Sequence, residues 1–371
     1  MSTRLRVGID ARVLAETVPM GVAHYVSALL RAATALAPQH EYLLYVGRRP
    51  LTQAFFTAAP FRQRVVDNAM LASPWIWQQF YFPWRAWRDG VYVILSPYYN
   101  GPLFSFVQQV VCICDVSFSL FPQDFPSWIH FKPRPLARPV SRRAARVITI
   151  SEFSRKEIIR VYGLAPEKVV VIPPGTEDQP WRRPSAAQLT VCLGSPFFLF
   201  VGSLFPRRQV GLVLQALARL PGHYHFVLVG ESDPAKRAAF MSTPQQWQVA
   251  DRVHCLGHVS DEELDDLYHR AVALVSPSTY EGFGLPVLEA MDRRLPVIAW
   301  DTPVMREVAG SAAVLLQSGD VAGLATAMLK LGDDPALRQA FSHAGKERAG
   351  KFSWKCSAST FLAVLHAAAR K

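Results

Sequence analysis

Short apolar runs bounded by turn residues alternate along this chain with stretches whose apolar positions recur every three or four residues. That alternation is the pattern of buried parallel strands joined by crossover helices. Residues 5–9 predict a first strand, followed by a loop through Gly21 and a helix with Val22, Val26, Leu29, Leu30 and Ala33 on one stripe. Further strands are expected at 91–95, 110–113, 147–150 and 169–172. Between the last two, residues 154–157 (SRKE) read as a capping box that opens a helix, and Gly163 reads as its close. Residues 173–196, PPGTEDQPWRRPSAAQLTVCLGSP, are dense in Pro, Gly and Ser and interrupt the rhythm as a linker does. The rhythm then restarts with strands at 197–201, 227–229, 253–256, 273–276 and 296–299. The expected class is α/β: two doubly wound Rossmann-like domains facing a central cleft at the carboxyl ends of their strands. Their expected limits are residues 1–180 and 190–350, with a C-terminal helix at 351–371 packing back toward the first domain.

Composition is consistent with two cores, since the 371 residues are 50% hydrophobic and only 19% charged. The formal net charge is +11, and the excess is uneven: residues 1–180 hold 20 Lys/Arg against 12 Asp/Glu, and the remainder 20 against 17. The first half therefore meets an anionic partner more readily, whether phosphorylated substrate or anionic membrane. Asp10 and Arg12 interrupt the apolar stretch that a signal peptide would need, and no run of 18 apolar residues occurs. A cytoplasmic protein that at most lies on a membrane is expected. The five cysteines, Cys112, Cys114, Cys192, Cys255 and Cys356, are odd in number and scattered, which argues for buried thiols over a disulfide framework.

The densest chemistry lies in YEGFGLPVLEA, residues 280–290, directly after a predicted strand. Gly282 and Gly284 form a turn in which backbone amides can approach a ligand, and Pro286 suits the first position of the helix that follows. The free N–H groups and the helix dipole then make a phosphate site. Glu289, expected in the first turn, suits the vicinal hydroxyls of a ribose, and Glu281 those of a second sugar. A second strand–loop–helix passage, GSLFPRRQ at 202–209, is expected to place Arg207 and Arg208 at a helix start, where guanidinium forks grip phosphate oxygens. Together the two passages describe one nucleoside-diphosphate-sugar site.

With these residues in view, the chain resembles glycosyltransferase family 4, retaining enzymes of the GT-B fold, from Val7 to about Trp354. The two glutamates match the family's signature of two glutamates with seven residues between them, with its Gly-Phe-Gly-Leu-Pro centre intact. GIDAR at 8–12, MGVAHYV at 20–26, DVSFSLFPQDF at 115–125, ITISEFSR at 148–155 and LGHVSDEEL at 256–264 stand in the order of a branch rich in bacterial mannosyltransferases of surface polysaccharide synthesis. Within LGHVSDEEL, residues 260–263 read as another capping box. The resemblance implies that Glu289 holds the ribose and Glu281 the donor sugar, and that the amides of Phe283, Gly284 and Leu285 line sugar and phosphate. It further implies that Arg207 and Arg208 bind the diphosphate, Val259 and Asp261 lie near the base, and Gly21 lets the first domain close over the phosphates. Glu281, Asp115 and Cys114 fall at its catalytic positions. Cys114 stands where the family commonly has histidine, Ser203 where it often has arginine, and Asp292, Arg293, Arg294 and Trp300 replace small residues after the signature helix.

The implied activity is transfer of a hexose, with GDP-mannose the favoured donor, to a glycan or lipid-linked saccharide. No cofactor is implied, and no Asp-x-Asp motif suggests a metal. Trp75, Trp77, Phe80, Tyr81, Phe82, Trp84 and Trp87 crowd one stretch with Arg85 and Arg88, and residues 125–151 carry Lys132, Arg134, Arg138, Arg142, Arg143 and Arg146 with no acid. That surface suits peripheral contact with an anionic membrane at the cytoplasmic face of the inner membrane. No nucleic-acid motif appears. The competing readings are a non-catalytic nucleotide-sugar or lipid-binding scaffold and a sugar-nucleotide epimerase or phosphorylase of the same fold.

Overall fold

The computed structural model describes residues 4–15, 21–47, 50–65, 73–98, 100–125, 134–176, 194–231 and 233–370. It divides into two compact units, Met1–Gly175 together with Ser353–Lys371, and Thr176–Phe352. Most of the expected linker, 177–193, lies outside the described residues.

Among the described residues the first unit is built on seven parallel strands: β1 (Arg6–Asp10), β2 (Glu41–Val46), β3 (Phe61–Val65), β4 (Val93–Ser96), β5 (Gln108–Cys112), β6 (Arg146–Thr149) and β7 (Val169–Val171). Their order across the sheet is β3-β2-β1-β4-β5-β6-β7. The second unit carries β8 (Phe197–Val201), β9 (His225–Val229), β10 (Val253–Gly257), β11 (Ala273–Ser276), β12 (Val297–Trp300) and β13 (Val314–Leu316), in the order β10-β9-β8-β11-β12-β13. Among the described residues all pairings between these strands are parallel. In each the strand order reverses once, between β1 and β4 and between β8 and β11. Loops leaving the carboxyl ends of the central strands part there and leave room for a ligand.

Periodicity located ten of the thirteen strands among the described residues. It passed over β2, β3 and β13 for physical reasons. β2, EYLLYV, is wholly buried but opens on a carboxylate. Burial raises the Glu41 carboxyl, but Arg6 at 2.9 Å, Arg62 at 3.2 Å and Arg4 at 3.7 Å outweigh it and hold it below the ordinary range. β3, FRQRV, is an edge strand with little apolar surface, and β13 is three residues long. The capping box expected at 154–157 gives way to a start three residues earlier. Helix Glu152–Tyr162 is capped by Ser151, whose side chain accepts from the Ser154 N–H, while Ser154 itself is buried in the first turn. Gly163 closes it at φ +62°.

The C-terminal helix Trp354–Ala369 packs within the first unit, against α1 (Gly21–Leu36). Trp354 meets Tyr25 with ring centroids 5.8 Å apart, and Ser357 Oγ donates to the carbonyl of Pro173 at 2.6 Å. Farther along, His366 meets His40 edge-on at 5.1 Å. His40 is buried, and its Nδ1 accepts the Leu5 N–H at 3.2 Å, which a protonated imidazole cannot do. Burial and then the neighbouring His366 push the His40 pKa below its usual value. The unfolded chain therefore takes up a proton that the folded chain resists, so this stability is present above the ordinary histidine range and lost as pH falls through it. We expect the urea midpoint to fall between pH 7 and pH 5.5. His40→Asn, whose Oδ1 replaces Nδ1 as acceptor, should flatten that fall by up to about 1.4 kcal/mol per pH unit. An unchanged pH slope in the variant would remove His40 from the account.

Candidate functional site

The second unit's switch point is formed by two loops, one from β8 and one from β11. The β8 loop turns sharply at Gly202, φ +143°, where a Cβ would stand 1.8 Å from Arg208 Nη1. Only glycine lets that guanidinium lie flat on the strand end. Arg207 and Arg208 do not begin a helix as expected. They occupy a separate 3-10 turn, Pro206–Arg208, and the helix starts only at Gly211, because Gln209 takes a left-handed conformation at φ +47°. The loop is held at three points. Leu204 N–H donates to Glu231 Oε2 at 2.7 Å, and the Arg207 carbonyl accepts from both the N–H and the Oγ1 of Thr279 at 2.9 Å. Gln209 Oε1 accepts from the indole of Trp300 at 2.9 Å.

Arg208 reaches Glu281 in the β11 loop, with Nε 3.0 Å from Oε1 and both side chains only 17% exposed. The contact is an ion pair and not an aligned hydrogen bond. Ser278 Oγ donates to the same Oε1 at 2.9 Å. Oε2 has no partner among the described residues. The guanidinium of Arg207 lies 4.5 Å and the ammonium of Lys236 4.7 Å from the centroid of Phe205, with Arg208 at 6.0 Å. Three cations thus surround one ring beside the strand end, a concentration suited to a polyanion.

Past Glu281 the chain turns at Gly284, φ +92°, and enters helix Leu285–Asp292. Leu285 is its first residue, which puts Pro286 second; Phe283 is buried and packs edge-on against Phe352 at 5.4 Å. Glu289 is the fifth residue, so it belongs to the second turn and not the first. There its Oε2 accepts from the hydroxyl of Tyr268 at 2.8 Å. Tyr268 is buried; burial and then the Glu289 carboxylate push its pKa well above the ordinary value, so it stays a donor. The guanidinium of Arg293 lies 5.2 Å from the Tyr268 ring centroid and is paired with Asp265. Asp292 pairs with Lys346 at 2.7 Å, and Trp300 is buried. Of the substitutions after the signature helix, Arg293 and Trp300 therefore brace the site.

Val259 is half-buried and Asp261 exposed, at the entry to helix Asp261–Arg270. Its capping box is formed: Ser260 N–H donates to Glu263 Oε2 at 2.8 Å and Glu263 N–H to Ser260 Oγ at 3.2 Å.

The remaining expected residues lie at the carboxyl edge of the first sheet. Gly21 begins α1. Cys114 and Asp115 follow β5, where Asp115 Oδ1 accepts the Ser117 N–H at 2.8 Å and Cys114 Sγ lies 4.0 Å from Cys112 Sγ. Hydrogen bonding to Cys112, then burial, then the charge of Asp115 push the Cys114 thiol well up, so it stays protonated. At the same edge Asp10 is gripped by Arg12 at 2.9 and 2.7 Å, and Arg12 lies 4.0 Å from the Trp77 ring centroid.

Sequence reasoning missed Tyr268, Ser278, Lys236 and Glu231. Tyr268 is a buried aromatic of helix Asp261–Arg270, a position that the core alone would account for, and Glu231 lies in the short polar stretch GESDP. A carboxylate directly after a strand-ending glycine was the available signal.

The family model described as Glycosyltransferase Family 4 matches residues 20–179, and that described as Glycosyl transferases group 1 matches 184–348. O-antigen chain mannosyltransferase B of Escherichia coli is 29% identical over 284 residues, 71% of this chain and 73% of that protein. O-antigen chain mannosyltransferase RfbU of Salmonella typhimurium is 27% identical over 265 residues, 69% of this chain and 71% of that one. The crystal structure of Anabaena Alr3699/HepE with UDP-glucose has a TM-score of 0.75 and covers 97% of this chain and 100% of that one, at 16% identity, a likeness of fold alone. The chain thus belongs to glycosyltransferase family 4 and is a glycosyltransferase built from two parallel-sheet domains of the GT-B type.

Proposed function

We propose that this protein transfers a hexose, with retention at the anomeric carbon, from a nucleoside-diphosphate sugar to a glycan or lipid-linked saccharide, and that the donor is GDP-mannose. One observation carries the reading: Arg208 and Glu281 meet at 3.0 Å at the β8–β11 switch point, beside a helix that begins at Leu285 with no side-chain cap. In this reading Arg207 and Arg208 neutralise the diphosphate, and the amides of Phe283, Gly284 and Leu285 line phosphate and sugar. Glu281 Oε2 accepts a sugar hydroxyl. Glu289, fixed by Tyr268, receives the ribose through its other oxygen. Val259 and Asp261 lie near the base. The bond between the anomeric carbon and the phosphate oxygen breaks while the acceptor oxygen bonds to the same face, and the acceptor's proton passes to the departing phosphate. Charge on that group is stabilised by guanidinium and amide donors, with no metal ion required.

The similarity to two mannosyltransferases supports mannose, and the likeness to a UDP-glucose complex makes UDP-sugars the necessary comparison. We place the acceptor in the first unit, at the edge carrying Gly21, Cys114 and Asp115. Purified protein given GDP-mannose and a bacterial lipid extract should release GDP, and should release none with UDP- or ADP-sugars. Release from UDP-glucose alone would move the donor assignment; release from none would end the reading.

The same reading includes peripheral membrane contact. Among the described residues no helix is long and apolar enough to cross a membrane. Nine of the eleven exposed large hydrophobic side chains among them fall between residues 65 and 106, which is too clustered for incidental exposure. Trp77 and Phe82 turn inward and stack at 5.3 Å, whereas Trp75, Phe80, Trp84 and Trp87 face out. The steps of five, four and three between those four follow one face because Trp77–Tyr81 forms a π-helical turn. Arg88 lies over Trp84, Arg143 lies over Phe104, and a cavity of about 550 Å³ is lined by Trp87, Tyr92, Phe104, Phe106 and Arg143. Exposed rings with cations on their faces suit an anionic interface. Co-sedimentation with vesicles containing phosphatidylglycerol should fall about tenfold on changing Trp84 and Phe80 to alanine. Equal sedimentation would dismiss this face.

A further inference from the structure

We propose that Glu231 is the positioning residue of the diphosphate site, setting Arg208 in place through the backbone of Leu204. The inference rests on the reading of Arg208 just given, and it concerns a residue that the family signature does not include.

Glu231 follows β9 and is 3% exposed. A carboxylate so buried needs partners, and it takes two backbone donors on two different loops: Leu204 N–H to Oε2 at 2.7 Å and Asp233 N–H to Oε1 at 2.9 Å. One side chain thereby ties the loop after β8 to the turn after β9. The tie is close because the strand ends lack side chains. Gly230, φ +104°, abuts Gly202 backbone to backbone, and a Cβ on Gly230 would stand 3.1 Å from Gly202 N. Fixing the Leu204 amide also fixes the Ser203 carbonyl, which accepts from Arg208 Nη1 at 3.4 Å, and with it the path of Arg208 across Gly202 to Glu281. The consequence runs from Glu231 through Leu204 and Ser203 to the guanidinium. With serine at 203, this position contributes its carbonyl to holding Arg208 and no cationic side chain.

Leaving the Leu204 amide unsatisfied frees the loop to swing, and the loss should appear in phosphate binding and not in recognition of base or ribose. The test is calorimetric titration of the full-length protein with GDP and with guanosine, for wild type, E231A, E231Q, R208A and E231A/R208A, each checked for folding by thermal midpoint. We expect E231A to weaken GDP binding about thirtyfold and leave guanosine within twofold. E231Q, which keeps one carbonyl acceptor, should recover part of the loss. In the R208A background the added effect of E231A should fall below twofold, because the residue acts only through Arg208. Additive losses in the double variant, or equal losses for GDP and guanosine, would overturn the proposal and leave Glu231 a stability residue. Should E231A not fold, E231Q carries the same comparison. Wild type binding neither GDP nor UDP overturns the functional reading itself, and this proposal with it.

Discussion

Arg208→Ala should lower kcat/KM for the sugar-nucleotide donor by about 10²–10³-fold, the range seen when a single preorganised donor is removed from developing negative charge. Arg208 is 17% exposed and packed on Gly202, so little solvent screens it. Its removal also leaves Glu281 unpaired beside a polyanion, which adds repulsion to lost attraction. Arg208→Lys restores the charge without the planar fork and should recover about tenfold of the loss. Gly202→Ala makes a sharper control, since its Cβ would fall 1.8 Å from Nη1 and so displace the guanidinium without altering any charge. Steady-state assays of nucleoside diphosphate release decide the matter. Activity of Arg208→Ala within fivefold of wild type would remove Arg208 from the leaving-group site.

How far this site could be read in advance depended on what kind of interaction carries each part. Strand-forming runs such as those at 197–201 and 273–276 showed because burial on both faces demands continuous apolar residues. The glycine turn at 282–284 showed because backbone freedom is written into residue type. What periodicity cannot convey is the partner of a side chain distant in sequence. Glu281 was placed correctly in a loop, yet its contact with Arg208, 73 positions earlier, arises only when β8 and β11 become neighbours. Tyr268 was invisible as a site residue because an aromatic on the buried face of a helix satisfies the core whether or not its hydroxyl serves a carboxylate. The misplacement of Arg207 and Arg208 has a local cause: Gln209 at φ +47° breaks the helix that the apolar spacing implied, and Trp300, far along the chain, holds it there. A left-handed conformation at a residue other than glycine leaves little trace in sequence. Likewise the exposed aromatic stripe at 75–87 depends on one π turn, which shifts the helical register by a residue and cannot be anticipated from spacing alone.

Glu281→Gln should separate two properties that move together in Arg208→Ala: sugar transfer falls about 10²–10³-fold while affinity for the free nucleoside diphosphate rises three- to tenfold. The reason lies in the ion pair. Glu281 Oε1 neutralises Arg208 at 3.0 Å, so in the proposed reading an arriving diphosphate competes with that carboxylate and must also approach its negative charge. Glutamine removes that competitor. Its carbonyl still accepts from Ser278 Oγ, as Oε1 does at 2.9 Å, so the loop keeps its anchor and the change is one of charge. In the proposed reading transfer suffers because the carboxylate meets the sugar as positive charge develops at its anomeric carbon, and a neutral amide stabilises that charge far less. On the proposed reading, once the sugar is gone Glu281 reclaims Arg208 and weakens the hold on the diphosphate. Product inhibition supplies the measurement, since the inhibition constant of the nucleoside diphosphate should drop in Glu281→Gln as kcat drops. A constant that rises, or that stays level while transfer collapses, would show that Arg208 does not exchange partners between Glu281 and phosphate.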